Sequence, residues 1–322
     1  MTKKRVHLPV EVITEILLKF YGPHFAASHF QIAAASPRLL FIDYHDSETL
    51  SIDFHAWLDD DSAFSPRPEF LDFYIWNPST GIHKQIPVSN SNKDTFKMLH
   101  GFGYDVSSYD YTVVLGSYEY HPLVSSSIDL EIFSLRANEW EQIEFDSDLP
   151  YWNTERPEGA PRVGSFLNGS IHWLVYNYET EIDVIIAYDL KEKTMSEIAL
   201  PDDFYSDFSP NLYDLLVLRG LISVWNMEMS TLKIWVMQEY AVHSSWTKTF
   251  DFSFDPAPDF SPVCFTNGGD IVGPVADGGL AKLDDKGGLL EYHSYGDCHF
   301  VRSQISVYTE SLLSLPDGTE QA

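Results

Sequence analysis

Few residues in this sequence have the types and spacing that catalysis or metal binding requires. Cys298 and His299 are adjacent, but neighbouring residues of a strand point to opposite faces, so the two would not ligate one ion. Two acidic runs, Asp59–Asp61 and Asp202–Asp203, resemble in composition a calcium loop or a glycosidase carboxylate pair. Neither has the alternating oxygen ligands or the glycine of a calcium loop, so we interpret both runs as solvated loop acids.

A glycine-containing segment, His100–Val106, could be compared with a dinucleotide-binding turn. It has Gly101 and Gly103 but lacks the third glycine of that fingerprint, and a Tyr- and Ser-rich strand follows where a helix should begin. The sequence also contains no G-x-S-x-G elbow, no H-E-x-x-H helix and no P-loop. We therefore predict a protein that is not an enzyme, with no catalytic residue, no metal and no cofactor. A propeller enzyme acting on glycans stays as an alternative, and it would require two carboxylates converging in a pocket.

Charge and composition limit the partners and the compartment. The 322 residues include 20 Lys and Arg against 48 Asp and Glu, which gives a net charge of −28. This charge repels polyanions, so we predict no nucleic-acid partner and no membrane partner. Only two cysteines are present, and Glu11 and Glu15 interrupt the first apolar run, so no secretory signal is predicted. We expect the cytoplasm, the nucleus or both.

One helix is predicted at the start of the chain. Between Leu8 and Phe20 apolar residues recur three and four positions apart, Pro9 suits the first helical turn, and Gly22-Pro23 ends the run. The Ala-rich segment Phe25–Ser36 could form a second helix. After about residue 38, short runs of β-branched and aromatic residues alternate with Gly, Pro, Asn and Asp, which predicts an all-β region. Two of its clearest predicted hairpins pair Ile182–Leu190 with Met195–Leu200 and Leu221–Trp225 with Leu232–Met237.

Similar strand cores recur through the all-β region, at spacings of 57, 55, 47 and 47 residues. They are Tyr74–Trp76, Glu131–Phe133, Ile186–Tyr188, Lys233–Trp235 and Leu280–Lys282. A unit of this length is the size of one propeller blade. We predict a mainly β, propeller-like domain of repeated antiparallel sheets with five or six blades. Strands at Leu39–Asp43, Ser51–Trp57 and Ile305–Tyr308 are expected to pair the two ends of the chain.

Four motifs in this region resemble those of one family, the plant F-box-associated interaction domain, also described as kelch-like. They occur in the family's order and lie at Trp76–Gly81, His100–Asp105, Asn168–Leu174 and Trp235–Lys248. The resemblance covers most of the chain from about residue 38 to about residue 315. It implies a propeller-like interaction domain over residues 38–322.

The amino-terminal segment, residues 1–37, resembles a truncated F-box. Leu8–Leu17 is similar to the first F-box helix, which docks on the Skp-type adaptor of a cullin-RING ubiquitin ligase. A Pro at the helix start and an Ile and Leu stripe would give an apolar ridge for a groove on that adaptor. The resemblance implies these adaptor-binding residues: Leu8, Pro9, Ile13, Ile16 and Leu17.

The resemblance implies the substrate-recognition subunit of an SCF-type ligase, which holds an unknown protein target for ubiquitination and performs no catalysis. The acidic composition suggests a target with basic patches. A complete F-box has three helices and a basic-aromatic stretch in its later part, and no such stretch precedes Pro37 here. The alternative is therefore an interaction module that has lost adaptor binding. In that case the first helix could instead pack its apolar face on its own domain.

Overall fold

The computed structural model describes most of the chain after residue 36, in separate stretches. These are residues 37–42, 49–52, 61–64, 73–77, 82–87, 96–118, 128–145, 149–152, 162–204, 213–228, 230–253, 260–275, 279–294 and 304–309. The two predicted helices, all five predicted adaptor-binding residues and the Cys298-His299 pair lie outside them. The predicted domain boundary after residue 37 therefore stays a prediction.

The described residues form strands, with one short 3-10 turn at His243–Ser245. The first strands are β1 (Pro37–Ile42), β2 (Thr49–Ile52), β3 (Asp61–Phe64), β4 (Phe73–Asn77), β5 (Ile82–Ile86), β6 (Phe96–Asp105), β7 (Asp110–Tyr118), β8 (Asp129–Ser134), β9 (Glu139–Ile143), β10 (Tyr151–Trp152), β11 (Arg162–Val163) and β12 (Ser165–Leu167). The others are β13 (Ser170–Asn177), β14 (Ile182–Asp189), β15 (Thr194–Ala199), β16 (Tyr213–Leu218), β17 (Leu221–Glu228), β18 (Thr231–Met237), β19 (Trp246–Ser253), β20 (Cys264–Phe265), β21 (Ile271–Val275), β22 (Gly279–Leu283), β23 (Leu289–Ser294) and β24 (Gln304–Thr309). The prediction of a mainly β protein is confirmed for these residues, and none of them forms a helix long and apolar enough to cross a membrane.

The chain divides into two compact units, one of residues 1–86 with 252–315 and one of residues 87–251 with 316–322. The second unit contains three sheets. Sheet I has the order β11-β6-β7-β8-β9, sheet II has β10-β13-β14-β15 with β12 also on β13, and sheet III has β16-β17-β18-β19. The first unit contains sheet IV (β20-β21-β22-β23), sheet V (β24-β1-β2-β3) and the two-stranded sheet VI (β4-β5).

Sheets I to IV each contain an antiparallel meander of successive strands, namely β6–β9, β12–β15, β16–β19 and β20–β23, which is the build of a propeller blade. Sheet I adds β11, which pairs with β6 in parallel, and sheet II adds β10 on β13. The other two sheets differ, because sheet V takes β24 from the far end of the chain and sheet VI has two strands. The prediction of five or six blades is therefore corrected to four complete meanders among the described residues. The predicted pairing of the chain ends is confirmed, since β1 pairs with β24 from Pro37↔Thr309 to Ile42↔Gln304.

The sequence repeat has a structural counterpart. Its last four cores lie on β8, β14, β18 and β22, and each of these is the last strand but one of its meander. The first core lies on β4, which likewise pairs with the strand that follows it. The predicted hairpins β14–β15 and β17–β18 also form, in continuous antiparallel register.

Two of the quoted motifs meet where sheet I packs on sheet II. The indole Nε1 of Trp173 donates a hydrogen bond of 2.8 Å to the carbonyl oxygen of His100. The same oxygen accepts the backbone N–H of Gly164 at 2.7 Å. Gly101 and Gly164 lie directly against the Trp173 ring. A side chain at either position would overlap with the ring.

A second kind of tryptophan contact occurs twice in the larger unit. Trp140, in the outer strand β9, donates its indole N–H to the carbonyl of Pro87 at 2.6 Å. Trp246, at the start of the outer strand β19, donates to the carbonyl of Ala199 at 2.9 Å. In both cases the indole ring covers apolar surface while its polar atom is satisfied by backbone.

The packing of sheet I on sheet II can be tested by measuring the stability of a glycine variant. A methyl group at Gly101 would lie 2.7 Å from Cζ2 of Trp173 and 2.8 Å from Cγ2 of Ile171. Both neighbours are buried, so we expect Gly101→Ala to lower the free energy of unfolding by about 1–3 kcal/mol. Urea denaturation followed by tryptophan fluorescence measures the change.

The matched control is Gly268→Ala, where the nearest atom would lie at an ordinary contact distance of 3.5 Å. We expect that variant to be as stable as the parent chain. If the two alanine variants unfold at the same urea concentration, β6 does not pack closely on Trp173.

Candidate interaction surface

Three turns of the larger unit share one construction. They join β6 to β7, β8 to β9 and β14 to β15, and each begins with an Asp or Ser whose side chain accepts backbone N–H groups. Asp105 Oδ1 accepts the N–H of Ser107 at 2.7 Å, and Ser134 Oγ accepts that of Ala137 at 2.9 Å. Such side-chain caps fix a turn without help from the rest of the fold.

The third turn begins at Asp189, and it has the same cap and the same backbone. Asp189 Oδ1 accepts the N–H groups of Lys191 and Glu192 at 2.9 and 2.8 Å. The residue that ends each turn has a left-handed backbone, with φ of 55° at Tyr109, 57° at Asn138 and 54° at Lys193. The three turns are therefore rigid platforms that present different side chains.

The first two turns support each other and expose large side chains. Arg136 donates from its guanidinium to the carbonyl oxygens of Ser108 at 2.9 Å and Tyr109 at 2.6 Å. Val106 is 68% exposed and Tyr109 is 55% exposed. Arg136 is held in place by these two hydrogen bonds and lies beside an exposed Tyr. Both residue types are enriched at the centres of protein interfaces.

Two charged side chains at these turns, Asp105 and Lys191, form hydrogen bonds within their own turns. Burial raises the pKa of Asp105, but hydrogen bonds from Ser108 and Ser107 outweigh it and hold that pKa below its ordinary value. The hydrogen bond with Glu192 raises the pKa of Lys191, and the Asp105 carboxylate adds a smaller effect. The third turn lies close to the first, because the side chain of Leu190 lies against Gly103 near the end of β6.

The longer turn between β18 and β19 extends the same surface. Tyr240 bonds its hydroxyl to Nε2 of the buried His172 at 2.8 Å, and the two rings meet edge to face. His172 Nδ1 lies 3.1 Å from the carbonyl of Ser165, and because a carbonyl only accepts, Nδ1 carries the proton and Nε2 accepts from Tyr240. Tyr240 is thus fixed in place while its ring stays partly exposed.

We call the exposed side chains of Val106, Tyr109, Arg136, Lys191 and Tyr240 the turn face. Tyr240 lies close to the third turn, because its hydroxyl bonds His172 of β13 and Ser170 of the same strand pairs with Asp189. The turn face combines two tyrosines and an apolar side chain with cations. It can bind another polypeptide, but no nucleophile with a base is among its five residues.

Among the predicted chemistry-bearing residues within the described ranges, Asp203, Gly101 and Gly103 have structural roles. Asp203 accepts the indole N–H of Trp235 at 2.8 Å and pairs with Lys248 at 2.6 Å, while Asp202 lies 3.4 Å from His243. Gly101 and Gly103 lie in the extended strand β6 and not in a phosphate-binding turn. The described residues contain no group of three His, Cys, Asp or Glu side chains that could hold a metal ion.

Two polar features of the larger unit escaped the sequence analysis. Arg162 is buried, bonds Asp214 Oδ1 at 3.1 Å and lies 5.4 Å from the ring centroid of Tyr213. His172 lies in a run of apolar residues, and the sequence does not indicate that it accepts a hydrogen bond from Tyr240. The sequence does contain a signal for the three similar turns. Each has an Asp or Ser five positions before the first residue of the next strand.

Comparison with known proteins identifies the family. The sequence model of a family described as "F-box associated beta propeller domain" matches residues 70–271. The chain belongs to this family. The match includes all four motifs quoted above and the whole turn face, so the resemblance seen in the motifs is confirmed.

Relatives of this F-box associated domain protein are known from Arabidopsis thaliana. An F-box/kelch-repeat protein is 26% identical over 299 residues, which cover 86% of this chain and 74% of the relative. F-box protein CPR1 is 28% identical over 205 residues, 56% of this chain and 47% of the relative. A further F-box protein is 27% identical over 196 residues, 56% of this chain and 48% of the relative. The chain thus spans about half the length of two of these three proteins.

Among solved structures, TolB from Acinetobacter baumannii is similar to this F-box associated domain protein at 12% sequence identity. The similarity covers 86% of this chain and 67% of that chain with a TM-score of 0.43. At this level no relationship of function is inferred.

The cap of the third turn of this domain can be tested directly. Asp189→Ala removes the acceptor of the Lys191 and Glu192 N–H groups, and we expect it to lower the free energy of unfolding by about 1 kcal/mol. Asp189→Asn keeps an acceptor oxygen and should lose less. Urea denaturation compares the two, and equal losses would show that the carboxylate charge, not the hydrogen bonds, fixes the turn.

The buried histidine of this domain predicts a pH dependence. Burial lowers the pKa of His172 to about 4 from 6.5, so between these pH values the unfolded chain binds a proton that the folded protein does not. Stability therefore falls as pH falls through this window, with a contribution from His172 of about 3 kcal/mol. Urea denaturation of the parent and His172→Gln at pH 7 and pH 4 isolates the effect, because carboxylates contribute equally to both.

The stability difference between the parent and His172→Gln should shrink by that amount at the lower pH. A difference that does not change with pH would contradict the assignment of the buried, neutral His172.

Proposed function

We propose that this protein is the substrate-recognition subunit of an SCF-type cullin-RING ubiquitin ligase and binds a protein target for ubiquitination. The observation that carries the proposal is the family match over residues 70–271, a domain named for its association with F-boxes. A relative whose alignment covers 86% of this chain, and so extends beyond this range, is itself named an F-box/kelch-repeat protein. In this role the protein contributes no catalytic residue and needs no cofactor.

The amino-terminal segment supplies the ligase connection in this proposal. Ile13, Ile16 and Leu17 are spaced three and four positions apart, so one face of a helix would present them to a groove on a Skp-type adaptor. Leu8 and Pro9 would begin that helix. The adaptor then links the target to the cullin-RING ligase in the cytoplasm, the nucleus or both.

The turn face supports the target-binding half of the proposal. Its side chains stand on turns whose shape is held by caps at Asp105, Ser134 and Asp189, so little conformational entropy is lost when a partner binds. Tyr109 and Arg136 are residue types that often contribute most of the binding energy in interfaces. We propose that a target protein is held at this surface.

A second candidate is an interaction module without adaptor binding. The observation that favours it is in the sequence, where the basic-aromatic stretch of a complete F-box is absent before Pro37. A single helix offers a smaller interface than a complete F-box, and interfaces need a central cluster from which water is excluded. The protein would still bind its target but would not deliver it to a ligase.

An adaptor pull-down separates the two candidates. We expect the full chain to retain a purified Skp-type adaptor, and the double variant Ile16→Asp, Leu17→Asp to lose it by at least about tenfold, since charges would be buried in an apolar groove. The measurement is the fraction of adaptor retained on immobilised protein.

The matched control is Val106→Ser, Tyr109→Ser, which changes the turn face and should retain the adaptor fully. A parent chain that retains no adaptor would support the interaction module instead. Equal retention by the parent and by the Asp variant would exclude Ile16 and Leu17 as adaptor contacts.

A further inference from the structure

The last strands of the four meanders can be compared position by position. In β9, β15 and β19 the exposed side chains are polar or small. They are Glu139, Glu141 and Gln142 in β9, Thr194, Ser196, Glu197 and Ala199 in β15, and Thr247, Lys248, Thr249, Asp251 and Ser253 in β19. Polar outer strands discourage pairing and adhesion between sheets of different molecules.

In strand β23 the exposed side chains include large apolar and aromatic ones. Leu289 is 63% exposed, Leu290 is 54% exposed and Tyr292 is 43% exposed. Glu291 is turned inward, where its carboxylate lies 3.7 Å from Nζ of Lys282, and both side chains are largely buried. The charged side of this strand faces its own sheet and the apolar side faces solvent.

Local geometry fixes this reversed arrangement. Leu289 pairs with Leu283 and Glu291 pairs with Lys282, so Leu290 is an extra residue in a β-bulge. The Tyr292 ring lies over Gly279, where a Cβ would be 2.3 Å from ring carbon Cε2. A bulge re-aims side chains, and here it places two leucines and the tyrosine at the surface together.

We propose that Leu289, Leu290 and Tyr292 form a docking patch for a segment of another protein that carries apolar and basic residues. Solvent-exposed apolar side chains of this size on an outer strand are typical of a surface that a partner covers. The net charge of −28 repels a second copy of the chain and attracts a basic segment.

The patch is independent of the proposed ligase function. It lies on residues 289–292, outside the segment 70–271 that the family model matches, and it contains none of the predicted adaptor-binding residues. Binding at the patch is therefore expected with or without an adaptor.

The test uses the full chain and a short fluorescein-labelled peptide of leucine and lysine, with binding measured by fluorescence anisotropy. The triple variant Leu289→Ser, Leu290→Ser, Tyr292→Ser leaves the net charge unchanged, so any non-specific attraction of the peptide is preserved. We expect the triple variant to bind about tenfold more weakly than the parent. The matched control is Ile182→Ser, which removes an equally exposed apolar side chain in the other unit and should bind as the parent does.

Four outcomes would overturn the proposal. Triple and parent proteins that bind the peptide equally would exclude the patch, and so would an equal loss in Ile182→Ser. Equal binding of a leucine and glutamate peptide would exclude the preference for a basic partner. Parent protein that self-associates in sedimentation velocity, while the triple variant does not, would show that a second copy is the occupant. Urea denaturation of the triple variant should match the parent, because the replaced side chains are exposed.

Discussion

The carbonyl oxygen of His100 is the point on which the packing of the larger unit depends. It accepts the indole N–H of Trp173 and the backbone N–H of Gly164, and both donors would be buried without a partner if it were displaced. The large indole can approach this oxygen only because Gly101 and Gly164 leave room for it. This oxygen therefore fixes the position of two segments, about seventy residues apart in sequence, relative to each other.

Much of the strand pattern could be predicted, because β-branched and aromatic runs with polar punctuation are a local property of the sequence. The hairpins at β14–β15 and β17–β18 and the end pairing of β1 with β24 followed from it. The number of blades did not, because a repeat of similar strands does not state how many strands join each sheet. Among the described residues sheet VI has β4 and β5, and the sequence before β4 contains the acidic, Pro-containing stretch Asp59–Glu69.

The candidate surface was harder to predict for a physical reason. Its residues come from four turns that are far apart in sequence, and their proximity depends on how sheets I, II and III pack. Tyr240 is fixed by His172 and Arg136 by the carbonyls of the first turn, and such contacts between distant residues leave no periodic signal. The predicted adaptor-binding residues are different, since a helical stripe is visible in a single short segment.

The structure also separates what holds the turns from what the turns display. Caps at Asp105, Ser134 and Asp189 and the left-handed residues that end the turns set the backbone, while the side chains of Val106 and Tyr109 project from it into solvent. Exposed positions can therefore change without loss of the fold. A domain built in this way can present different side chains at its turns while its sheets stay the same. Strand β23 shows the same separation, because its bulge and Gly279 fix where the leucines and the tyrosine lie, and not which partner they meet.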